Sequence, residues 1–530
     1  MTTVKLTKFG GMRPILSERN LSDHMAVVAR DVDLSRGTLR PWRTSKFIGP
    51  QTGKALWRED CCTKVFTDCA ASVAYHRMGD GRIIATDAEA AYPVTANLKE
   101  WCASDVCRLG FPCDLPAPAA SAPPPAAFVR FDDARQVRVY AYRLLNRYNE
   151  TSQISTPSAT IEVDALMPVT VTVPTAFAGY CIDMVQILRS EQSPDRTGGQ
   201  MDSQFFVVGE VALGVTTFTD DLITPLEMAE DLPINPPPDN LRDVQYWGND
   251  QFIGLSDDTI VMTVPTEHHN WATANIRELH DKPIALAATN SVCYVATDAR
   301  PAVIKQGNGS CDITEAEDTH PIVSKRSMVG YNNHALYASK DGIVMIAPSG
   351  QCKIVTAAYY AKDQWQMLLP DSMFAAVHDG HYFAFFQNET IRFKIPDGVY
   401  EDAGDIGLTT LSIRPTAAYR GLDDELYYTD AQGLWQWNAG TDWLEFYFQS
   451  APIDAISDVE FAAFKVDGVF APVTIEHWVD QERIDLDTVN TNTATWLPSA
   501  RSGQQWGVTM RSKGEVRCYY LSTSIHDLGR

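Results

Sequence analysis

Residues 324–353, SKRSMVGYNNHALYASKDGIVMIAPSGQCK, form a pattern of three short strands separated by turns. Apolar, β-branched and aromatic residues come in short runs, which are cut by Asn332-Asn333 and by Asp341-Gly342. Short runs between Asn-Asn and Asp-Gly pairs are typical of an antiparallel meander. The stretch therefore predicts a small sheet that has to bury its faces against other sheets.

The same unit recurs along the chain. Its first turns fall near residues 249, 290, 332, 379 and 423, a period of about 40 to 47 residues. A further copy lies upstream, at residues 73–92. This period is that of four-stranded propeller blades, which cover one another when stacked radially. The sequence predicts an all-β fold with a β-propeller of about six blades; an ordinary β-sandwich with regular hairpins is the alternative.

Two proline-rich stretches, 115–127 and 232–240, interrupt this pattern. Such segments favour extended polyproline conformation and are typical of linkers. Residues 128–231 between them have the size of one immunoglobulin-like sandwich. Their alternating strands and the Ser-x-x-Ser spacing of Ser152, Ser155 and Ser158 resemble fibronectin type III domains. We expect this sandwich as an insertion between a first blade region, 55–114, and the remaining blades, 241–440.

The two ends of the chain lie outside the repeat. Residues 1–54 are predicted to form an N-terminal platform segment with a short helix, capped by Ser22 or Asp23 and carrying Met25, Val28 and Ala29. Residues 441–530 are predicted to form a C-terminal β platform region. We expect the last strand, 516–525, to close a sheet with the N-terminal segment.

Composition narrows the class of protein. The 530 residues are 45% apolar and 21% charged, which indicates a globular chain of several domains. A net charge of −23 argues against an external face that binds nucleic acid, but it is compatible with a channel through which DNA slides. Plain solubility is the simpler explanation of that charge. The sequence shows neither a membrane-spanning run nor a secretory signal, so we expect synthesis in a cytosol.

The eleven cysteines do not form a regular framework. We therefore expect reduced thiols that pack as small apolar groups, with Cys181 and Cys293 inside strands. Six cysteines crowd together, but without the paired spacing of a zinc site, so a metal site or a disulfide is the less favoured interpretation. These are Cys61, Cys62, Cys69, Cys102, Cys107 and Cys113.

Catalytic signatures are missing from the sequence, which carries no nucleophile elbow, phosphate loop, zincin motif or dinucleotide fingerprint. His268 and His269 after Glu267 lack the spacing of a metal site, so we expect a solvated loop. The pairs Asp257-Asp258 and Asp423-Asp424 fit hairpin turns. Asp341-Gly342 after Ser339 resembles the Asp-box of sialidases but lacks its tryptophan. The sequence therefore predicts no enzyme, no catalytic, cofactor-binding or metal-binding residue, and no cofactor.

Two segments resemble one family. Phe9-Gly10-Gly11-Met12-x-Pro14, followed by Leu21-x-Asp23-x-x-Ala26-x-x-Ala29 and Leu34-x-x-Gly37-x-Leu39-Arg40-Pro41, is similar to the opening of many bacteriophage tail structural proteins. Residues 464–466 and 501–507, leading into 516–525, resemble the end of tail hub or nozzle proteins of short-tailed phages. Those proteins carry a propeller between such ends. The fibronectin-like insertion departs from their pattern.

The resemblance implies a virion protein, assembled in the host cytoplasm as a homohexameric ring below the portal and the head-to-tail adaptor. Such a ring continues the conduit for double-stranded DNA, retains the packaged genome, releases it at ejection, and contacts tail fibre or tail needle proteins. A receptor- or glycan-binding tail adhesin is the rival hypothesis. We expect C-terminal tryptophans and tyrosines to be core or subunit-interface anchors.

Overall fold

The computed structural model describes residues 3–59, 62–66, 74–86, 92–103, 105–123, 135–164, 167–192, 204–222, 224, 226–230, 233–248, 250–289, 291–306, 311–400, 407–421, 424–469, 471–497 and 501–529. The chain divides into two compact units. Unit 1 comprises Met1–Ala71 and Leu279–Arg530, and unit 2 comprises Ser72–Glu278.

Four-stranded antiparallel sheets repeat along unit 1, and the first three are each built from consecutive strands. The first consists of Pro283–Ala288, Val292–Thr297, Ala302–Gln306 and Cys311–Glu315. The second consists of Val329–Tyr331, His334–Ser339, Gly342–Ile346 and Cys352–Ile354. The third consists of Phe374–His378, His381–Phe385, Thr390–Lys394 and Thr409–Leu411. The fourth consists of Ala417–Arg420, Leu426–Thr429 and Leu434–Gln436, with Lys46–Gly49 as its outer strand.

Turn chemistry explains why these strands break where they do. Asn332 and Asp379 adopt φ values of 50° and 48° between paired strands, and Gly342 adopts 148°. Asn, Asp and Gly tolerate positive φ better than other residues, and tight hairpins require it. The Asn-Asn and Asp-Gly pairs in the sequence therefore mark true turns.

The sheets of unit 1 pack face to face. The inner strands of successive sheets lie beside one another, and the hairpin of Ala55–Glu59 and Cys62–Phe66 lies beside the inner strand of the fourth sheet. Apolar side chains fill the layers between the sheets, with Tyr294 and Tyr337 fully buried between the first two. Burial of one such large side chain contributes about 1.5–3 kcal/mol. This packing is that of propeller blades.

Short helices connect the sheets of unit 1. One α-helix covers Lys362–Met367, and Trp365 anchors it by donating from its indole nitrogen to the Ser339 carbonyl at 3.0 Å. The 3₁₀ turns of unit 1 are Glu18–Asn20, Lys325–Ser327, Val355–Ala358, Pro370–Ser372 and Ile525–Leu528.

The two ends of the chain share β-sheets in unit 1, and we call these sheets the platform. Thr3–Leu6 pairs antiparallel with Glu515–Ser522, which confirms the expected closure between the last strand and the N-terminus. Ala26–Arg30 lies between Thr409–Leu411 and Phe446–Ser450 and extends the third sheet. The remaining platform strands are Ile453–Glu460, Ala463–Val469, Val473–Val479, Glu482–Val489, Thr495–Trp496 and Ser502–Ser512, and Val32–Asp33 pairs with Arg40–Pro41.

Two predictions for residues 1–54 are wrong. The expected helix around Met25, Val28 and Ala29 is the strand Ala26–Arg30, which pairs with Phe446–Ser450. Its valines favour an extended backbone, and tertiary pairing overrides a weak capping signal. Lys46–Gly49 is not confined to the platform, because it completes the fourth sheet.

Unit 2 contains two more sheets of the same kind. The first consists of Ala74–Arg77, Arg82–Thr86, Val94–Asn97 and Cys107–Arg108, with the helix Leu98–Cys102, which a capping box of Asn97 and Glu100 begins. The second consists of Arg242–Tyr246, Phe252–Ser256, Thr259–Met262 and Arg277–Glu278, with a 3₁₀ turn at Thr273–Asn275.

A two-sheet sandwich is inserted between these sheets in the sequence of unit 2. Both of its sheets contribute to one apolar core around Tyr142, Val171 and Ile187. The larger sheet has the order Ile161–Asp164, Arg135–Asn146, Ile182–Gln192, Phe206–Ala212, Glu227–Met228, and the smaller has Ala119–Ser121, Val169–Thr172, Thr217–Asp220. The fold is therefore all-β, with propeller-type sheets, an immunoglobulin-like insertion and a C-terminal β region.

The Ser-x-x-Ser segment has a structural role in the sandwich. Each of the three serines is buried and makes two hydrogen bonds with one residue of the neighbouring strand. The serine hydroxyl accepts the backbone N–H of that residue, and the serine N–H donates to its carbonyl, at distances of 2.7–3.0 Å. This reciprocal bonding attaches an extended segment to the edge of Arg135–Asn146. The pairs are Ser152 with Leu144, Ser155 with Tyr142, and Ser158 with Tyr140.

Both proline-rich stretches differ from the predicted linkers. Leu115 is buried in the sandwich core, and Ala119–Ser121 is a strand of the smaller sheet. Ile234 is buried, and Asn235 accepts the N–H of Trp271 at 2.8 Å. Apolar and backbone contacts fix these segments, so their described parts belong to unit 2 and do not separate domains.

Candidate functional site

The two segments that carry the family resemblance meet in the platform. Leu39 and Val516 exchange both backbone hydrogen bonds at 2.9 Å, and Thr38 donates its hydroxyl to Glu515 at the same distance. Phe9 meets Phe448 edge to face with ring centroids 5.3 Å apart. Both segments thus form one core, which also contains Leu6, Phe464, Val466, Tyr519 and Leu521.

The Gly10-Gly11 pair permits close backbone approach at this platform. Gly10 donates to the His24 carbonyl at 2.6 Å, and Gly11 accepts the Ala26 N–H at 3.1 Å. A Cβ placed on Gly407 would lie 2.7 Å from the carbonyl carbon of Gly11. Gly407 also has a φ of 71°, so two chain segments touch where side chains are absent.

A buried polar pair cross-links the platform strands. His477 Nε2 lies 2.8 Å from the hydroxyl of Tyr519, and both side chains are fully buried. Burial lowers the pKa of His477 to about 3, so the imidazole is neutral at physiological pH. The pair binds Val473–Val479 to Glu515–Ser522 and has no access to solvent, which suits a structural role.

An open groove of about 520 Å³ lies on the platform. Trp478 forms part of its wall and donates its indole N–H to Thr509 at 3.0 Å, whereas Trp506 forms its buried floor. Aromatic faces and amide groups are the side chains that line sugar-binding sites best, because they offer both stacking and hydrogen bonds. The groove is lined by Tyr447, Trp478, Trp506, Gln449, Gln481 and Gln505, among others. Trp506 is a core anchor, as predicted for the C-terminal tryptophans, whereas Trp478 is half-buried in the groove wall.

His268 and His269 are buried, so the expected solvated loop is wrong. His268 Nε2 lies 3.0 Å from Asp250, and His269 Nδ1 lies 3.5 Å from Glu150. The His268 ring packs against Phe252 with a centroid distance of 5.2 Å. Within the described residues, no group of three or more His, Cys, Asp or Glu side chains is placed to hold a metal ion.

Glu150 connects His269 to a buried arginine. Arg82 donates to it at 2.7 Å and to Asp80 at 2.6 Å, and its guanidinium lies 4.2 Å from the Tyr148 ring centroid. Burial opposes the ionisation of Glu150, but hydrogen bonds and charge from His269 and Arg82 hold its pKa at about 2. The cluster is an ion-pair network inside unit 2.

The acidic pairs lie at turns, as predicted where the structure describes them. Asp257 adopts a φ of 49° between paired strands, and Asp424 adopts 61° and pairs with Arg420. Asp423 lies outside the described residues. At the Asp-box-like stretch, Asp341 donates its N–H to the Ser339 hydroxyl at 3.2 Å, which is turn geometry.

One disulfide corrects the thiol prediction. Cys107 bonds to Cys181, with Cα atoms 5.6 Å apart, so neither is the reduced packing group that the sequence suggested. Cys107 lies in the strand Cys107–Arg108, and Cys181 directly precedes Ile182–Gln192. The fold brings together these residues 74 positions apart, which spacing alone does not reveal. Cys113 is a free, exposed thiol, and Cys293 is a free, buried one. Cys61 and Cys69, and the side chains of Cys62 and Cys102, lie outside the described residues.

No helix in the described part of the chain is long and apolar enough to span a membrane.

Comparisons with known proteins give fold-level likeness only. No family model matches the chain, and no curated protein matches it. Solved structures that match include a streptogramin B lyase, with 10% identity and a TM-score of 0.29 over 69% of this chain and 93% of that one. BBS1N in complex with ARL6DN matches with 11% identity and a TM-score of 0.30, over 75% of this chain and 96% of that one. YCF48 from Cyanidioschyzon merolae matches with 11% identity and a TM-score of 0.26, over 55% of this chain and 97% of that one. Likeness this distant carries no argument about function.

Proposed function

We propose that this chain is a structural protein of a bacteriophage tail, which assembles as a ring-shaped nozzle or hub around the path of the DNA. The observation that supports this best is the platform. The two segments that resemble tail proteins are separated by more than 400 residues, yet they share strands and one core. The resemblance therefore covers a coherent structural element and not two unrelated motifs.

An open sheet edge supports assembly into a ring. Glu482–Val489 is the outermost strand on one side of the platform sheet, and Leu486 on this strand is 54% exposed. Trp496 on the edge strand of the neighbouring sheet is 58% exposed. Unpaired edges with exposed apolar side chains are sites where another chain adds. A heterologous contact of this kind, repeated around an axis, closes into a ring.

The net charge fits the proposed conduit. With a charge of −23 per chain, six copies would present a strongly acidic assembly. Acidic groups along a lumen repel phosphates and neutral groups do not hold them, so the duplex can slide without specific binding. On this proposal the protein catalyses no reaction, needs no cofactor, and contacts the adaptor ring above and fibre or needle proteins below.

Electron microscopy of the purified chain and of virions tests the proposal. We expect six-fold rings in class averages, and density for the same ring below the adaptor in the tail. Leu486→Arg places a charge on the open edge and should give monomers. Leu226→Arg, at a leucine that is 68% exposed in unit 2, is the control and should leave rings intact. Monomers of the unmodified chain at all concentrations, or a tail without this protein, would contradict the proposal, as would a lumen lined by Lys and Arg.

A second candidate function, a glycan-binding tail adhesin, is favoured by the platform groove. Its half-buried Tyr447 and Trp478 and its amide side chains suit a sugar. Trp478→Ala should then weaken binding to host polysaccharide about tenfold or more, whereas Trp443→Ala, at an exposed tryptophan outside the groove lining, should not. Absence of glycan binding by the unmodified chain excludes this function and leaves the ring untouched.

A further inference from the structure

A small cavity of about 140 Å³ lies in unit 1, where the N-terminal turn meets the third sheet. It is separate from the platform groove. Ser35 comes from the turn, and His381, Arg392 and Lys394 come from two neighbouring strands of the sheet. Thr409 comes from the next strand. Side chains that can donate hydrogen bonds thus reach one cavity from the N-terminal turn and from three strands of the third sheet.

Arg392 is the unusual residue of this cavity. Its side chain is only 6% exposed, and its Nε atom has no hydrogen-bond partner among the described residues. Its guanidinium lies 4.7 Å from the Trp42 ring centroid and 5.8 Å from that of Phe383. Burial of a cation without a bonded anion is costly, and most buried charges in proteins are paired. An aromatic face offsets this cost in part, but it does not satisfy a directional donor.

Nearby carboxylates do not fill this role. Asp33 accepts the Ser35 N–H at 3.0 Å and faces Arg40 at 3.6 Å, so it already has partners. Asp33 and Asp379 act on Arg392 through their charge, yet burial still lowers the pKa of Arg392 to about 10. The guanidinium therefore remains a desolvated cation that lacks a contact anion.

Thr409 provides a second, independent observation. It is 3% exposed, and its hydroxyl also has no hydrogen-bond partner among the described residues. Buried polar groups are normally hydrogen-bonded, because each one left unpaired costs about 1–3 kcal/mol. Arg392 and Thr409 occupy directly paired positions on adjacent strands, and both line the same cavity. A single bound molecule that accepts hydrogen bonds would satisfy both.

We propose that this cavity binds one small oxyanion of the phosphate class, with Arg392 as its charged ligand and Thr409 as a hydroxyl donor. Ser35 and Lys394 add a hydroxyl and an ammonium group at the rim. The cavity of about 140 Å³ has room for about four water molecules of the liquid, at about 30 Å³ each, and a phosphate ion is more compact than that because its oxygens are bonded to one phosphorus. The bound anion ties the N-terminal turn to the third sheet.

Titration calorimetry with inorganic phosphate on the full-length chain tests the site, with potassium chloride at equal ionic strength as the reference. We expect saturable binding of one phosphate per chain and a rise in the melting temperature of unit 1 that chloride does not reproduce. Thr409→Val keeps the side-chain shape and removes the donor, so we expect phosphate to bind about tenfold more weakly.

Arg392→Met removes the charge and should abolish binding. Arg511→Met is its matched control, since Arg511 also lies over an aromatic ring, 5.0 Å from the Tyr447 centroid, but outside the cavity. If Arg392→Met fails to fold, Thr409→Val decides alone. Equal effects of phosphate and chloride, or unchanged binding in Thr409→Val, would overturn the proposal. Neither outcome depends on ring assembly.

Discussion

A buried cluster of charges lies inside the sandwich. The Asp220 carboxylate is fully buried, 2.7 Å from Arg189 and 3.8 Å from Arg138, and it accepts a hydrogen bond from the Tyr140 hydroxyl at 2.6 Å. Burial raises the pKa of Tyr140, so the phenol stays protonated and donates. We predict that Asp220→Asn destabilises unit 2 by about 3–5 kcal/mol, because it removes a buried negative charge that two buried guanidinium groups contact.

Urea unfolding measured by tryptophan fluorescence and far-UV circular dichroism gives this difference directly. Asp221→Asn is the control, because Asp221 is the exposed neighbour. It should change stability by less than about 0.5 kcal/mol. Equal effects of the two substitutions would show that the buried network does not stabilise the fold.

Glu150 predicts how the stability of unit 2 depends on pH. Its pKa is about 2 in the folded protein and about 4.3 in an unfolded chain. Because the folded pKa is depressed, the contribution is complete above pH 5 and is lost as the pH falls toward 2. Its magnitude is on the order of 3 kcal/mol. In Glu150→Gln this dependence should vanish, so the stability gap between the variant and the unmodified chain should close as urea titrations move from pH 5 to pH 2.5.

At the scale of elements, the Ser-x-x-Ser segment tests how an extended segment attaches to a sheet edge. Ser155→Ala leaves the buried Tyr142 N–H without its hydroxyl acceptor, which is 3.0 Å away. We predict a loss of about 1–3 kcal/mol in the stability of unit 2. Thr156→Ala, at the exposed neighbour, should be close to neutral. Hydrogen exchange of the Tyr142 amide should accelerate in the first variant only.

The strands of the repeat were predictable because their signals are local. Asn332, Asp379 and Gly342 mark turns in the sequence and adopt positive φ in the structure. Strand pairing across the chain was not predictable, because Lys46–Gly49 carries no sign of its partner Leu434–Gln436, nearly 400 residues away. Residues 22–29 show the same limit, since pairing with Phe446–Ser450 selects a strand where a cap suggested a helix.

For the site residues, too, local signals could be read from the sequence, whereas tertiary contacts could not. The serine spacing pointed to the correct segment, although its reciprocal hydrogen bonds appear only once Ser155 lies beside Tyr142. Nothing in the sequence distinguishes Arg392 or Thr409 from exposed strand residues. Their importance comes from burial and from missing partners, which are tertiary properties.

At the scale of the whole molecule, the first 49 residues hold unit 1 together. Thr3–Leu6 pairs with the last strand, and Lys46–Gly49 completes the fourth sheet. Ala26–Arg30 lies between the third sheet and the strand Phe446–Ser450. Three sheets would each lose a strand if this segment were absent. The platform core would also lose Leu6, Phe9 and Leu39, which are all nearly fully buried.

We predict that a chain without residues 1–49 loses the cooperative unfolding of unit 1 and keeps that of unit 2, since Ser72–Glu278 is compact and contains none of the deleted strands. Differential scanning calorimetry should show two transitions in the full-length chain and one in the truncated chain. Addition of residues 1–49 as a separate peptide should restore protection from hydrogen exchange in Phe446–Ser450 and Glu515–Ser522, the strands that pair with it. If the truncated chain retained both transitions, the pairing of the chain ends would be incidental to the fold. The platform would then lose its place as the main support for ring assembly.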